Sequence, residues 1–362
     1  MARKGLIKIF SEISADDDNT NAQSLTVRQI VSRLDPERFL VTMTQGGAIV
    51  DPILRDRPNT RFLRRLRHGT AAKFSLVSLS SKPDIFFYPA PSPVTQTFLW
   101  ARRLLPIRTK LVVHVVGTFG LMKQMRNDWF GGNSVQEAIR AADFVAANSH
   151  GVARDVQNEF DINVPVIHNG IDRRYFYPPS QPRCESSEDP RLRVLFVGSF
   201  KPYKRTKSIV EIASKYDQVT FWLVGDGPER KECERAAETL RNVVFFGTVP
   251  PARVGELMRQ ADIFLFPSVV EGHPQVLGQA GACGLPCVAR DTYAPDYVVN
   301  GGTGLLSSSE EDLLRNFEKL IRDQDMRCRL GNAAIEHTKQ FDWDKSAHQW
   351  AEVFLRLAEG AN

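Results

Sequence analysis

The sequence predicts an α/β protein of two domains, each built on a parallel sheet with helices wound on both faces. Three observations carry this. Short apolar runs alternate with amphipathic helical segments from residue 6 onward, the pattern of parallel strands joined by crossover helices. The alternation breaks once, at YPPSQPRCESSEDPR (177–191), a stretch rich in Pro, Ser and charge without periodicity, and then restarts. At 362 residues the chain is also too long for one ordinary core, so two domains of about 150 to 200 residues are the default.

In the first half the expected strands are LIKIFSEI, FLVTM, DIFFY, KLVVHVV, DFVAA and PVIHN. Helices lie between them, such as AQSLTVRQIVSRL and SHGVARDVQNEF, the latter opened by Ser149 as N-cap. In the second half LRVLFVG, VTFWLVG, NVVFFG, ADIFLFP and PCVAR read as strands. The helices SIVEIASKY, PERKECERAAETL, RVGELMRQA and PQVLGQAGACG fill the gaps. After LPCVAR the strands cease and three helical segments follow, the last being DKSAHQWAEVFLRLAEG. The expected organisation is a Rossmann-like domain over 1–178, a linker over 179–191, a second Rossmann-like domain over 192–340, and a helix within 341–362. In open sheets of this kind ligands sit beyond the carboxyl ends of the strands, so every βα loop is a candidate site.

The composition is that of a globular chain, 42% hydrophobic and 25% charged. No apolar run approaches the ~18 residues of a membrane-spanning helix, and MARKGLIKIF leads straight into a strand. Five cysteines (184, 233, 283, 287 and 328) show no CxxC pair or His partner spacing, so free thiols in a reducing, cytoplasmic compartment are expected. The net charge of +5 is uneven: residues 1–180 carry 24 Lys/Arg against 16 Asp/Glu, and residues 181–362 carry 23 against 26. The excess concentrates in 55–73, with seven basic residues and one acid, and in 101–110, with four and none. Either this is a solvated basic face, or it meets anionic lipid headgroups or an anionic substrate, which would put a cytoplasmic protein at the inner face of the membrane. Nucleic acid is not expected, because few aromatics accompany the charge and no binding module is present.

Three loops could carry chemistry. VGSFKPYKR (197–205) joins a strand ending at Gly198 to a helix starting near Thr206, and Lys201, Lys204, Arg205 and Lys207 crowd it. Glycine lets backbone approach a ligand, and a helix N-terminus with cationic side chains suits a phosphate group. No GxxxxGK[ST] is present, so triphosphate hydrolysis is not indicated. VGDGPE (224–229) is a second strand–glycine–helix loop, with Pro228 at the first helical position; its Gly225 serves either a ligand or a tight turn. EGHPQVLGQ (271–279) places Glu271 at a strand end and Pro274 as the first residue of a helix. Backbone N–H groups over 274–276 then face whatever lies beside Glu271, and Gln279 follows two turns on. DDD (16–18) reads as loop and cap rather than metal ligand. His114, inside LVVHVVG, reads as a core histidine, and no Ser/His/Asp arrangement stands out.

Together these loops resemble the retaining, nucleotide-sugar-dependent glycosyltransferases of the GT-B fold, family 4. ADFVAANSHGVARDV with VIHNGIDRRYFYP, VGSFKPYKR, FWLVGDGPER, NVVFFGTVP, ADIFLFPSVVEGHPQVLGQAGACGLPCVA and GGTGLL follow in the family's order, and FDWDKSAHQWAEVF is similar to its terminal helix that crosses back onto the first domain. The resemblance covers most of 143–357. It implies two facing domains, Lys204 on the donor diphosphate with a second charge from Arg205 or Lys201, and Glu271 on donor-sugar hydroxyls. It further implies a nucleotide bed of Gly198, Ser199, Gly225, Gly247, Thr248, Val249, His273, Pro274, Gln275, Val276 and Gln279, the last beside the ribose.

This sequence departs from the family's pattern at Ser199, where an Arg is common, and at Gln279, where a Glu is usual. At Val116 a His is often found; His114 lies two residues earlier. Asn21, His114 and Gly117 are the residues expected on the acceptor or sugar side. The implied reaction transfers a sugar from a UDP-, GDP- or ADP-sugar to a hydroxyl acceptor with retention, without a cofactor or an obligatory metal. A GT-B epimerase or phosphorylase, and a non-catalytic nucleotide-sugar-binding protein, are the competing readings.

Overall fold

The computed structural model describes residues 5–16, 22–47, 49–64, 82–87, 93–117, 133–180 and 191–360. The chain divides into two units, the first comprising residues 1–170 and 343–362 and the second residues 171–342. The first division falls before the expected residue 178, because Ile171 and Phe176 are already buried in the second unit's core. Most of the expected linker (181–190) lies outside the described residues.

Unit 1 holds β1 (Ile7–Ser14), β2 (Phe39–Gln45), β3 (Thr60–Arg64), β4 (Ile85–Phe87), β5 (Lys110–Val115) and β6 (Phe144–Ala147). They form one parallel sheet in the order β3-β2-β1-β4-β5-β6. Strands such as β4 and β5 are covered on both faces and therefore read as continuous apolar runs. The helices are α1 (Ala22–Ser32), α2 (Pro52–Arg55), α3 (Pro93–Leu104), α4 (Asn133–Ala141) and α5 (His150–Phe160). Ser149 caps α5 as expected, its hydroxyl accepting from the Val152 N–H at 3.1 Å.

Two strand expectations change here. TRFLR, read as part of a basic surface, is the edge strand β3; its charges are the kind that keep an open edge from pairing with other chains. PVIHN supplies only a single parallel bridge between Ala147 and Val166, since Pro165 has no N–H to donate to a ladder. The basic segment 55–73 is described only to residue 64, and within it Arg57 is buried. Its guanidinium donates to the carbonyls of Leu34 (2.8 Å) and Phe39 (3.3 Å), so this cation is internal.

Unit 2 holds β7 (Arg193–Val197), β8 (Thr220–Val224), β9 (Val243–Gly247), β10 (Ile263–Phe266), β11 (Cys287–Arg290) and β12 (Gly304–Ser307), in the order β12-β11-β10-β7-β8-β9. Its helices are α6 (Thr206–Ala213), α7 (Arg230–Ala236), α8 (Pro251–Gln260), α9 (Gln275–Ala282), α10 (Glu310–Arg322) and α11 (Gln324–Thr338). β12 was not expected after LPCVAR. It is four residues long and opens on Gly304, where a Cβ would stand 2.6 Å from the Cys287 sulfur. Counted within each unit, the two sheets have the same order, third-second-first-fourth-fifth-sixth. The winding therefore reverses between β1 and β4 in one and between β7 and β10 in the other, the place where such sheets open a crevice.

Helix α12 (Trp343–Ala358) belongs to unit 1, burying Trp343, Trp350, Val353 and Phe354 there. The Trp350 ring lies 4.9 Å from the rings of Phe87 and His114. Gly170, the last residue before the chain leaves unit 1, sits so close to Trp343 that a Cβ would stand 2.3 Å from its backbone nitrogen. Among the described residues no helix is long and apolar enough to cross a membrane. Cys233, Cys283 and Cys287 are free and buried, but Cys328 is disulfide-bonded. The expectation of free thiols fails at that residue, because pairing follows proximity in the fold and the spacing of cysteines along the chain does not reveal it.

Candidate functional site

The two loops that flank the reversal point of unit 2 come together. After β7 the chain passes Gly198 and Ser199, makes a short 3-10 turn over Pro202–Lys204, and enters α6 through Arg205 in the left-handed region (φ 57°). After β10, Val269 N–H donates to the Tyr203 carbonyl at 3.0 Å, which fixes the turn against the strand end. This delivers the Lys204 ammonium onto Glu271 Oε1 at 2.5 Å. The same oxygen accepts from Ser268 Oγ at 2.5 Å. Glu271 is only 8% exposed, so the pair sits at low dielectric, where its geometry is held firmly. Among the described residues Oε2 accepts no hydrogen bond, and the ammonium has three donors, one of which Glu271 uses. The arrangement thus offers a free carboxylate oxygen for a hydroxyl and free N–H donors for an anion, side by side.

The other cations of this loop are differently committed. Lys207 bridges Glu229 (3.0 Å) and Glu232 (2.8 Å), and these bonds raise its pKa. Arg205 faces Glu310 at 3.8 Å, a carboxylate shared with Arg290 at 3.5 Å, so its guanidinium is not part of the Lys204–Glu271 pair. Lys201 is exposed, 6.0 Å from the Tyr203 ring centroid, and pairs with no acid among the described residues. Tyr203 itself was not anticipated. Burial raises its phenol pKa, the Glu271 charge adds to this, and a hydrogen bond with Ser199 opposes both. Ser199 is therefore engaged with Tyr203.

The glycines of the second loop serve packing. Gly198 N–H donates to the Val224 carbonyl and Phe200 N–H to Asp226, so the loops after β7 and β8 run backbone against backbone. Gly225 has φ 126°, and a Cβ there would lie 1.9 Å from the Gly198 oxygen. Pro228 lies in a turn, since α7 begins at Arg230. Arg230, another residue not anticipated, donates to the Gly225 carbonyl at 3.0 Å and lies 4.9 Å from the Phe245 ring centroid. Gly247 (φ 68°) accepts from the Gly225 N–H, with exposed Thr248 and half-buried Val249 beyond it.

Around α9 the expected positions shift by one. Pro274 is the N-cap, not the first helical residue, and a proline has no N–H, so the available donors at this end are Gln275 and Val276. His273 is turned inward: its ring stacks on Tyr297 at 3.9 Å and 11°, and it is 6% exposed. Gln275 and Gln279, four residues apart, share the half-buried face of α9. Among the described residues neither side-chain amide makes a hydrogen bond, and the Gln275 Nε2 atom is fully buried.

In unit 1 the expected acceptor-side residues are described only at His114 and Gly117. Asn21 lies outside the described residues. His114 is 4% exposed against Trp350, and burial pushes its pKa down to about 3, so it is a neutral core residue and not a ligand contact. Gly117 follows β5 with open space where a Cβ would be, and Val116 offers its carbonyl to Asn148 at 3.4 Å. Asp16 acts as a loop brace, Oδ2 accepting from Ser14 and from the N–H groups of Gly46 and Gly47.

Comparison with known proteins bears on the family and the fold. The family described as Glycosyl transferases group 1 matches residues 181–337, and Glycosyltransferase Family 4 matches residues 29–175. An uncharacterized glycosyltransferase of Methanocaldococcus jannaschii, MJ1178, is 27% identical over 58% of this chain and 59% of its own. The N-acetyl-alpha-D-glucosaminyl L-malate synthase of Bacillus anthracis is 24% identical over 78% of this chain and 77% of its own. Among solved structures, Anabaena HepE in complex with UDP and glucose superposes with a TM-score of 0.76 at 21% identity, over 96% of this chain and 99% of that one.

Proposed function

The chain belongs to the glycosyl transferases group 1 family, with the GT-B fold, and on that premise we propose that it moves a sugar from a nucleoside diphosphate sugar to a hydroxyl acceptor with retention at the anomeric carbon. The observation that carries this is the Lys204–Glu271 pair at the reversal point of unit 2. A donor places an anionic diphosphate and a polyhydroxylated ring within one bond of each other, and the pair offers a cation and an acceptor at that separation. Breaking the glycosyl–phosphate bond leaves extra negative charge on the diphosphate. Lys204, Lys201 and the N–H groups of Gln275 and Val276 stabilise that charge, and Glu271 Oε2 holds a sugar hydroxyl. Gln275 and Gln279 face the ribose, and the 247–249 segment lies beside the base. The departing phosphate takes the acceptor's proton on the face it leaves, which retains configuration. The acceptor is a hydroxyl on a glycan, lipid or small molecule, and an anionic membrane is a surface that the basic first half suits.

Thermal shift with UDP-, GDP- and ADP-sugars tests the donor class, UDP-sugars first because the fold neighbour holds UDP and glucose. A ligand at 100 times its Kd adds ~2.7 kcal/mol of stability. No shift with any donor sinks the proposal. Transfer followed by NMR then reads the anomeric configuration of the product, and an inverted product removes retention while leaving the transferase assignment standing.

A further inference from the structure

One corner of unit 1 carries apolar surface that stays exposed among the described residues. Helix α3 buries Val94, Phe98 and Leu99, but Trp100 is 63% exposed, Leu104 one turn on is 62% exposed, and the adjoining Leu105 is 58% exposed. Trp100 and Leu104 are four residues apart and share a face. Clustered exposed apolar side chains mark an interaction surface, and their surroundings indicate its partner.

The surroundings are cationic. Arg103 and Arg108 are exposed beside the cluster; Arg103 reaches Glu137 only at 3.5 Å, and Arg108 pairs with no acid among the described residues. A cavity of about 830 Å³ opens at the same corner and not at the Lys204–Glu271 pair. It is lined by Lys82, Arg102, Arg108 and Lys110 against a single acid, Asp84. Asp84 is already committed to the Lys8 N–H at 2.7 Å. Asp143, which holds Arg102 and Lys110 at 2.7 and 3.3 Å, also accepts from the Leu111 N–H, so Lys82 and Arg108 are the cations left for an outside anion.

We propose that this corner docks the protein on an anionic lipid bilayer. Trp100, Leu104 and Leu105 enter the headgroup–acyl boundary, where tryptophan is favoured, while Arg103, Arg108 and Lys82 contact lipid phosphates. The cations alone would suit a soluble anion, but three large exposed apolar side chains on the same stretch of chain would not be needed for one, and a neutral protein partner would not need the cations. The corner lies where α3 ends and β5 begins, at the amino end of the unit 1 sheet. Docking there leaves the carboxyl-end loops open, so attachment and chemistry separate experimentally.

Co-sedimentation of the full chain with phosphatidylcholine vesicles, with and without about 30% phosphatidylglycerol, tests this. Binding is expected only with the anionic lipid, and is expected to weaken at least tenfold between about 50 and about 500 mM salt. Leu104→Glu/Leu105→Glu and Arg103→Glu/Arg108→Glu should each weaken it about tenfold or more while thermal shift by the donor is unchanged. Quenching of wild-type tryptophan emission by brominated lipid should be largely lost in Trp100→Phe, which gives a second readout if a charged variant folds poorly. Equal binding to neutral vesicles, no binding, wild-type binding by either double variant, or quenching that survives Trp100→Phe overturns the proposal. So does a solution dimer that Leu104→Glu/Leu105→Glu dissociates without any vesicle binding, which would make the face a contact between copies of the chain.

Discussion

Units 1 and 2 have the same strand order, yet the polar side chains at and near their strand ends find different kinds of partner. Asp16, just past β1, is tied to the backbone of Gly46 and Gly47, and His114 in β5 lies against Trp350 in the core. In unit 2, in the loop that follows its own first strand, Lys204 meets another side chain, Glu271. A backbone partner cannot leave without opening the fold. A side-chain partner can be exchanged for a ligand that offers equivalent bonds, so the pair is stable without a ligand and still able to bind one. What separates a brace from a site here is whether the partner can be exchanged, since buried polar groups occur in both units.

The largest effect expected from breaking this contrast is on stability. Trp350→Ala removes the side chain that packs both Phe87 and His114, and should cost unit 1 about 3–5 kcal/mol in denaturant titrations. Donor binding by unit 2 should persist in conditions where the variant remains folded. Lys204→Ala, which leaves the buried Glu271 carboxylate without its cation, should lower the melting of unit 2 and reduce kcat/KM by about 10²–10³-fold. Transfer within about threefold of wild type would show that the pair is only a brace like Asp16.

Next in size is a pH effect confined to unit 1. Burial lowers the folded pKa of His114 from 6.5 to about 3, against a hydrogen bond with the Ile167 backbone that works the other way. Below pH 6.5 the unfolded chain takes up a proton that the folded chain refuses until about pH 3. Stability is therefore full above 6.5 and should fall by about 1.4 kcal/mol per pH unit on acidification through that window. His114→Phe should flatten that limb, and an unchanged slope would place the acid sensitivity elsewhere. The smallest effect is at Gln279. Restoring a charge with Gln279→Glu should tighten donor binding by about 1 kcal/mol in calorimetry, because a charged acceptor makes the stronger bond to a ribose hydroxyl. Weaker or equal binding would take Gln279 away from the ribose.

Much of this arrangement was legible from residues 143–357, where strand, glycine and helix signals recur at regular spacing. Strands buried on both faces and the Ser149 cap declare themselves locally. β3 did not, because TRFLR sets Phe62 and Leu63 side by side between two arginines, without period-2 alternation, and becomes a strand only through pairing with β2. β12 was missed for a similar reason: GLLS is short and begins with a glycine whose role is to admit the Cys287 sulfur. Within the candidate site, Lys204 and Glu271 could be named from their loops, but their contact could not, since 67 residues separate them. The partners that redirect Arg205 to Glu310 and Ser199 to Tyr203 are likewise matters of tertiary proximity.

The placement of α12 bears on how the protein is made. Unit 2 is one continuous segment, whereas unit 1 needs residues 343–358, which leave the ribosome only after all of unit 2 has been synthesised. Until then its sheet lacks Trp350 and Phe354, and the apolar face they cover stays open to water. Unit 2 can therefore mature first although it is encoded second, and the nascent first unit is the form that chaperones and proteases will meet. A ribosome stalled after residue 342 and an added linker long enough to clear the exit tunnel should hold a protease-resistant second unit behind a protease-sensitive first one.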